Sequence, residues 1–268
     1  WPMPGWRMSC GPMPADITSL ETTEDAVLGG RLRLRQPKRG HRVGHDAILL
    51  AAATAAVAGE RAVDLGAGVG GAGLALAVRV GGLAVTLVEI DAELCVLAQG
   101  NARLNGMDER VRAAACDAGD CTALAANGLA GNGIDRVLMN PPFNDARRQK
   151  VSPDPRRKLA HAADDGLLVR WIDSAGWLLR PQGTLTLIWR ADGLDDVLAA
   201  LAPAFGGVAV LPVLPRPDAP AIRVLVRSVK SGVGARRDYP ALVLNDDNNR
   251  PSAAAEAVLR GGETLALA

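Results

Sequence analysis

Between residues 61 and 229 the sequence alternates short apolar segments of strand type with longer segments of helix type, and this alternation limits the possible folds. Strands that are separated by helices pair in parallel, because a parallel neighbour requires a long crossover. The predicted strands are 61–65, 84–88, 111–116, 134–139, 183–189, 208–214 and 222–229. Only a short Pro-rich turn joins the last two, so they must be antiparallel. The sequence therefore predicts an α/β fold with a mainly parallel sheet.

The remaining periodicity indicates a single domain. Helices are predicted at 46–57, 72–80, 92–104, 167–179, 194–201 and 253–259, and Asp46 is the expected N-cap of the first. Residues 1–24 are expected to be a poorly structured extension. Residues 25–268 are expected to fold together, with a strand and helix at 25–58, a core at 59–230 and a tail at 231–268.

Composition excludes several functional classes. The net charge is +1, so binding to nucleic acid must come from local basic patches. The four cysteines and three histidines are not spaced as metal ligands, so we expect no metal site. Cys95 and Cys116 lie in apolar surroundings and are expected to be reduced, which favours the cytoplasm. No apolar run approaches the roughly 20 residues that span a bilayer, so we expect no membrane segment.

The turn after the first core strand is rich in glycine and runs Asp64-Leu65-Gly66-Ala67-Gly68-Val69-Gly70-Gly71. Glycines let a backbone approach a ligand closely, and the N-terminus of the following helix favours carboxylate or phosphate. The run also matches the G-x-G-x-x-G pattern of dinucleotide-binding turns. A nicotinamide dinucleotide and S-adenosylmethionine are therefore both candidate cofactors.

Acidic residues at this turn and at the ends of the next two strands help to separate these cofactors. Glu89, at the end of the second strand, suits the ribose diol of either one. Asp64 would face the positively charged amino acid portion of S-adenosylmethionine, whereas a pyrophosphate would be repelled there. Asp117, at the end of the third strand, can accept a hydrogen bond from an adenine amine. Together the acids favour S-adenosylmethionine.

The fourth strand ends in an unusual turn, Asn140-Pro141-Pro142-Phe143. Two consecutive prolines supply no backbone N–H and fix φ near −65°, so the strand must stop and Asn140 is held at its tip. The Asn140 side-chain oxygen and the Pro141 carbonyl can both accept hydrogen bonds from an NH2 group on a planar ring, and Phe143 can stack on that ring. We therefore predict Asn140, Pro141 and Phe143 as catalytic residues.

The order Asp-x-Gly-x-Gly, Glu, Asp and Asn-Pro-Pro-aromatic resembles the class I S-adenosylmethionine-dependent amino-methyltransferases. The resemblance covers residues 31–229 and implies a Rossmann-like, seven-stranded sheet with its last strand antiparallel and helices on both faces. Residues 36–47 and the Asn-Pro-Pro-Phe turn are most similar to the bacterial family that methylates N6 of an adenine beside the anticodon of valine tRNA. The implied cofactor-binding residues are Asp64, Gly66, Ala67, Gly68, Glu89, Ile90, Asp117, Ala118, Asn140 and Asp46.

Basic residues flank the predicted site along the chain and suit the phosphates of RNA. The predicted substrate contacts are Pro142, Arg147, Arg148, Lys150, Lys38 and Arg39. The predicted function is methylation of adenine N6 in RNA, with tRNA as the favoured substrate. Guanine N2 of rRNA, adenine in DNA and a protein glutamine are alternative targets of the same chemistry. An NAD(P)-dependent oxidoreductase is the alternative of another class, and it leaves the Asn-Pro-Pro-Phe turn unexplained. A monomer and a homodimer are both compatible with the sequence.

Overall fold

The computed structural model describes residues 20–40, 42–142 and 166–268. Its strands are β1 (Thr22–Val27), β2 (Leu32–Pro37), β3 (Arg61–Leu65), β4 (Ala84–Glu89), β5 (Val111–Ala115), β6 (Ile134–Met139), β7 (Leu179–Arg190), β8 (Phe205–Leu214), β9 (Arg223–Lys230), β10 (Arg237–Asp238) and β11 (Leu242–Val243). Its helices are α1 (His45–Ala53), α2 (Gly71–Arg79), α3 (Ala92–Leu104), α4 (Cys121–Ala126), α5 (Leu167–Leu178), α6 (Leu194–Leu201) and α7 (Ala253–Glu256). None of the helices in these ranges is long and apolar enough to cross a membrane.

The central sheet has the strand order β10-β8-β9-β7-β6-β3-β4-β5. β9 runs antiparallel to both of its neighbours, and the other pairings are parallel. This arrangement confirms the predicted seven strands with an antiparallel last strand, which are β3 to β9. The count of seven is too low for the whole sheet, however, because β10 and β11 both pair with the outer edge of β8 and make it nine-stranded. These two strands have only two residues each, too few to show a periodic pattern.

Each face of the sheet carries its own apolar core, as a strand's alternating side chains require. One core joins the sheet to α1, α2, α3 and the β1–β2 hairpin, and the other joins it to α4, α5 and α6. Leu138 and Met139, adjacent in β6, belong to opposite cores and are both fully buried. The predicted helices on both faces are therefore confirmed.

Two predicted details of the N-terminal region are wrong. The extension was expected to reach residue 24, but β1 begins at Thr22 because its backbone pairs with β2, from Thr22 with Pro37 to Val27 with Leu32. The expected helix 46–57 runs from His45 to Ala53, and its N-cap is Gly44 without a side-chain bond. Asp46 is thus not a cap, since its carboxylate accepts a 2.9 Å hydrogen bond from Nε of Arg223.

Candidate active site

Four turns meet at the edge of the sheet where the parallel strands end. Leu65, the last residue of β3, pairs with Val88 of β4 on one side and Met139 of β6 on the other. Glu89, the last residue of β4, pairs with Ala115 of β5. The glycine-rich turn and the residues after β4, β5 and β6 therefore lie side by side, which is the usual ligand position in an α/β sheet.

The glycine-rich turn is held by its own backbone. Ala67 donates its N–H to the Val88 carbonyl at 2.9 Å. Gly66 has φ 72°, and a Cβ there would lie 2.2 Å from the ring of Trp171 on α5, so glycine is required twice over. Gly68 has φ 56°, but a Cβ there would meet nothing within 4 Å. The turn thus has a packed side at Gly66 and an open side at Gly68, where a ligand can approach the backbone.

Asp64 lies beneath this turn and is almost fully buried. Its Oδ2 accepts a 2.7 Å hydrogen bond from the backbone N–H of Gly73, in the first turn of α2. Burial raises the pKa of Asp64 to about 7, against the lowering effect of the Gly73 bond, and the charge of Glu89 raises it further. A cation bound next to this carboxyl would favour its charged form.

Glu89 connects the glycine-rich turn with the turn after β4. Its Oε2 accepts from the N–H of Gly68 at 2.8 Å, and its Oε1 accepts from the N–H of Asp91 at 2.9 Å. Burial raises the pKa of Glu89, and the hydrogen bonds from Asp91 and Gly68 oppose that rise. The carboxylate is therefore fixed in position beside the open glycine, as a group that binds a diol must be.

The turns after β4 and β5 offer an apolar surface and a second acid. Ile90 leaves 59% of its surface exposed, directly after the buried Glu89. Asp117 is exposed and accepts a 2.8 Å hydrogen bond from the N–H of Gly119, and Ala118 is buried behind it. A flat ring with an edge amine fits such a combination of an exposed aliphatic face and a free carboxylate oxygen.

Asn140 follows β6 directly, and its Oδ1 is shielded from solvent with no hydrogen-bond donor in the described part of the chain. A buried acceptor without a partner costs about 1–3 kcal/mol, so this oxygen is positioned for a donor that arrives from outside. Pro141 is buried and Pro142 half-buried, which fixes the turn behind it. The open backbone at Gly68, the fixed acids and this oxygen together fit S-adenosylmethionine with an amine acceptor beside it.

The other predicted contacts are less closely tied to this edge. Asp46 is engaged with Arg223, as described above. Lys38 forms an exposed ion pair of 3.4 Å with Glu21. Arg39 is exposed and has no ion pair with another described residue. Phe143, Arg147, Arg148 and Lys150 lie outside the described residues. Across the described ranges, no three His, Cys, Asp or Glu side chains are grouped to hold a metal ion.

Trp171 is a residue of the site that sequence reasoning missed. It is 7% exposed and forms the packed side of the glycine-rich turn at Gly66. It comes from α5, more than a hundred residues further along the chain, so no local pattern links it to the turn. The one available signal was composition, because a tryptophan is a rare residue in a chain with only 3% aromatics.

The sequence profile of the family described as "Methyltransferase small domain" matches residues 42–212, a range that includes all four turns. The chain belongs to the methyltransferase small domain family. This membership confirms the predicted enzyme class, a methyltransferase that uses S-adenosylmethionine, and removes the oxidoreductase alternative.

Individual relatives of this methyltransferase agree with its class and differ in their named targets. It is 33% identical over 190 residues to a "tRNA1(Val) (adenine(37)-N6)-methyltransferase" of Porphyromonas gingivalis, which covers 69% of each chain. It is 31% identical over 157 residues to a "Release factor glutamine methyltransferase" of Chlorobaculum tepidum, covering 56% of this chain and 52% of that one. The crystal structure of a predicted O-methyltransferase from Agrobacterium tumefaciens superposes with a TM-score of 0.70 at 27% identity, covering 82% of this chain and 98% of that chain.

Proposed function

We propose that the protein transfers the methyl group of S-adenosylmethionine to the exocyclic N6 amine of an adenine in tRNA. The observation that carries the proposal is the solvent-shielded Asn140 Oδ1, which has no donor among the described residues and lies at the edge that also carries the cofactor turn. An exocyclic amine would supply that donor. The tRNA target is supported by the name of the Porphyromonas gingivalis relative.

The proposed chemistry needs only orientation and hydrogen-bond acceptance from the protein. When bound, S-adenosylmethionine supplies a methyl group that its sulfonium has already activated. An adenine amine is a poor nucleophile because its lone pair is delocalised into the ring. Asn140 Oδ1 and the Pro141 carbonyl would accept hydrogen bonds from its two N–H groups and direct the lone pair towards the methyl group. As the N–C bond formed, the C–S bond would break to leave S-adenosylhomocysteine, and the amine would lose one proton to solvent. Orientation of this kind can supply several kcal/mol, and Phe143 would add about 1–3 kcal/mol by stacking on the base.

The proposed cofactor contacts follow the geometry of the four turns. Asp64 faces the ammonium group and Glu89 the ribose diol, because both carboxyl groups are held next to the glycine-rich turn. Asp117 accepts from the adenine amine of the cofactor, and Ile90 covers the face of that ring. Gly66, Ala67, Gly68 and Ala118 bring the backbone close enough for these contacts.

A tRNA enzyme would work in the cytoplasm, and the buried thiols of Cys95 and Cys116, which form no disulfide in the described structure, agree with a reducing compartment. We propose that residues 22–268, which include all of β1, act as one methyltransferase domain, as a monomer or a homodimer. The proposed tRNA contacts are Lys38, Arg39, Pro142, Arg147, Arg148 and Lys150.

A protein glutamine is the second candidate target, because of the Chlorobaculum tepidum relative. A glutamine side chain also ends in a planar NH2 group, so the Asn140 turn alone does not separate it from adenine. The basic residues along the chain favour RNA.

The test is a labelling experiment with S-adenosylmethionine that carries a labelled methyl group. The protein is incubated with tRNA, ribosomal RNA, DNA and release factor separately, and the products are analysed by nucleoside and peptide mass spectrometry. Labelled N6-methyladenosine in tRNA alone is the expected result. Label at guanine N2, at a ribose oxygen, in DNA or at a glutamine of the release factor would replace the proposed target with that one.

A further inference from the structure

A fully buried amide on α3 contacts the backbone of the glycine-rich turn. Asn101 has no exposed surface, and its Nδ2 donates to the Val69 carbonyl at 3.0 Å. The same Nδ2 donates to the Arg35 carbonyl at 3.0 Å, and Oδ1 accepts from the Arg35 N–H at 2.7 Å. One side chain therefore holds a turn that lies 32 residues before it and a strand that lies 66 residues before it.

Val69 is the point of the turn where such a bond has most effect. It lies between Gly68 and Gly70, whose φ values of 56° and 91° are both left-handed. Glycine residues on both sides allow this part of the turn many backbone conformations, so its hydrogen bonds decide which one it adopts. The bond from Asn101 fixes the Val69 carbonyl. The Gly70 N–H of the same peptide group donates to the Ala67 carbonyl at 2.8 Å, so the bond also fixes the turn next to Gly68.

The β1–β2 hairpin contacts the same region a second time. Gln36 is buried, and its Oε1 accepts from the Val43 N–H at 2.7 Å. The Val43 side chain packs against Gly71, where a Cβ would lie only 2.7 Å from it. Strand β2 thus supports the glycine-rich turn from Arg35 through Asn101 and from Gln36 through Val43.

We propose that Asn101 is a positioning residue for the cofactor, and that it sets the affinity for S-adenosylmethionine by fixing the glycine-rich turn against the hairpin. The proposal rests on the proposed function, because it takes the turn as the methyl-donor site. Asn101 does not touch the reacting atoms, so its effect falls on cofactor binding and not on the methyl-transfer step.

The chemistry of this position requires an amide. The Val69 and Arg35 carbonyls both need a donor and the Arg35 N–H needs an acceptor, and a primary amide supplies all three. A hydroxyl offers one donor, and a carboxylate offers none. Removal of the amide leaves the Val69 carbonyl without this donor and breaks the hydrogen bond between the turn and α3, so the turn is held less firmly.

The chain offers a matched control in Asn105, one helical turn later. Its Oδ1 accepts from the Arg33 N–H at 2.9 Å, and its Nδ2 donates to the Arg33 carbonyl at 2.7 Å. Asn105 is half-buried and also donates from Nδ2 to the Asn101 carbonyl at 2.7 Å. It therefore docks the same strand on the same helix through the same pair of bonds, but makes no hydrogen bond with the glycine-rich turn.

The experiment compares Asn101→Ala with Asn105→Ala by titration calorimetry with S-adenosylhomocysteine. We expect the Kd to rise about tenfold for Asn101→Ala, as for the loss of one buried hydrogen bond, and to change less than about twofold for Asn105→Ala. With substrate, KM for S-adenosylmethionine should rise in Asn101→Ala while kcat at saturating cofactor stays within about twofold. Equal effects of the two variants, or a loss confined to kcat, would overturn the proposal.

The milder pair Asn101→Ser and Asn105→Ser provides the same comparison if an alanine variant does not fold, and the same two outcomes decide it. Failure of the proposed function gives a different result. If the unaltered protein itself does not bind S-adenosylhomocysteine, the cofactor assignment is wrong. If it binds S-adenosylhomocysteine but methylates no adenine, only the target is wrong, and the calorimetric comparison still tests Asn101.

Discussion

We expect substitution of Asn140 to lower the rate of methyl transfer strongly and to change cofactor binding little. Its Oδ1 accepts from no donor among the described residues, so Asn140→Ala removes the acceptor that we assign to the substrate amine. We expect kcat to fall about 100-fold or more, as for other groups that act on the reacting atoms, and the Kd for S-adenosylhomocysteine to stay within about twofold. Rates from nucleoside mass spectrometry and calorimetry measure the two effects. Near-normal turnover in this variant would contradict the assigned role.

Asp64 should make the stability of the protein depend on pH in an uncommon direction. Its pKa is raised from the ordinary 3.8 to about 7, so the folded state holds a proton that the unfolded state has already lost. The stability that this neutral carboxyl contributes is complete below about pH 4 and is lost as the pH rises towards 7. Asp64→Asn does not titrate and can still accept from Gly73. The melting temperature of the variant minus that of the unaltered protein should therefore increase from pH 4 to pH 7 and stay constant above about pH 7.

The proposed contact between Asp64 and the ammonium group also makes cofactor binding depend on pH. Ionisation of Asp64, which lowers the stability of the protein, would strengthen that binding. A cation next to this carboxyl binds its charged form, so S-adenosylhomocysteine should bind more tightly at about pH 7.5 than at about pH 5.5. The affinity of Asp64→Asn should change less over the same range. Parallel pH profiles for the two proteins would place the ammonium group elsewhere.

At the scale of elements, the sequence predicted those with a complete local signal. α3 has the predicted bounds because Asp91 caps it by accepting from the N–H of Glu93 and of Leu94, and because Gly106 follows with a φ of 66°. β6 also has its predicted bounds, since the prolines after Asn140 end it. The missed α4 has only six residues, although Asp120 caps it in the same manner.

Other elements depend on contacts that no local pattern contains. β1 reads as a polar segment and becomes a strand only through β2. β10 has only two residues and exists because the tail lies along β8. The residues of the candidate site also fall into those with a local sequence signal and those without one. Its acids and glycines follow strands and were predictable, whereas Trp171 and Asn101 act across long sequence separations.

The arginines in and beside the β1–β2 hairpin differ in whether they are engaged in ion pairs with it. Arg33 and Arg35 both pair with Glu24, and Arg42 pairs with Asp25. Arg39 alone among the hairpin arginines named here has no described ion pair. Arg39→Ala should therefore weaken tRNA binding and lower the slope of log K against log salt by about 1, whereas Arg33→Ala should leave the slope nearly unchanged. Filter binding at several salt concentrations measures both. Equal slopes of log K against log salt for the two variants would show that ion pairing within the hairpin does not determine which arginine contacts RNA.

At the scale of the whole molecule, the last residues complete the first core. Arg79 on α2 donates to the carbonyls of Val258, Gly262 and Glu263, and the N–H of Leu265 donates to the Ala52 carbonyl at 2.8 Å. These bonds tie the segment after α7 to α1 and α2, the two helices that flank the glycine-rich turn.

Leu267 tests how far this tail belongs to the folding unit. It is fully buried in the same core as α1 and α2, so Leu267→Ala should lower the free energy of unfolding by about 2–4 kcal/mol. Glu263→Ala is the control, because its side chain is exposed and its carbonyl stays available to Arg79, and we expect a change below about 0.5 kcal/mol. Urea unfolding followed by circular dichroism and by tryptophan fluorescence measures both. Because three of the five tryptophans, Trp171, Trp177 and Trp189, pack in the opposite core, coincident transitions in the Leu267→Ala protein would indicate that the tail and both faces of the sheet unfold together. If Leu267→Ala left the midpoint of the fluorescence transition unchanged, the tail would instead unfold as a separate unit.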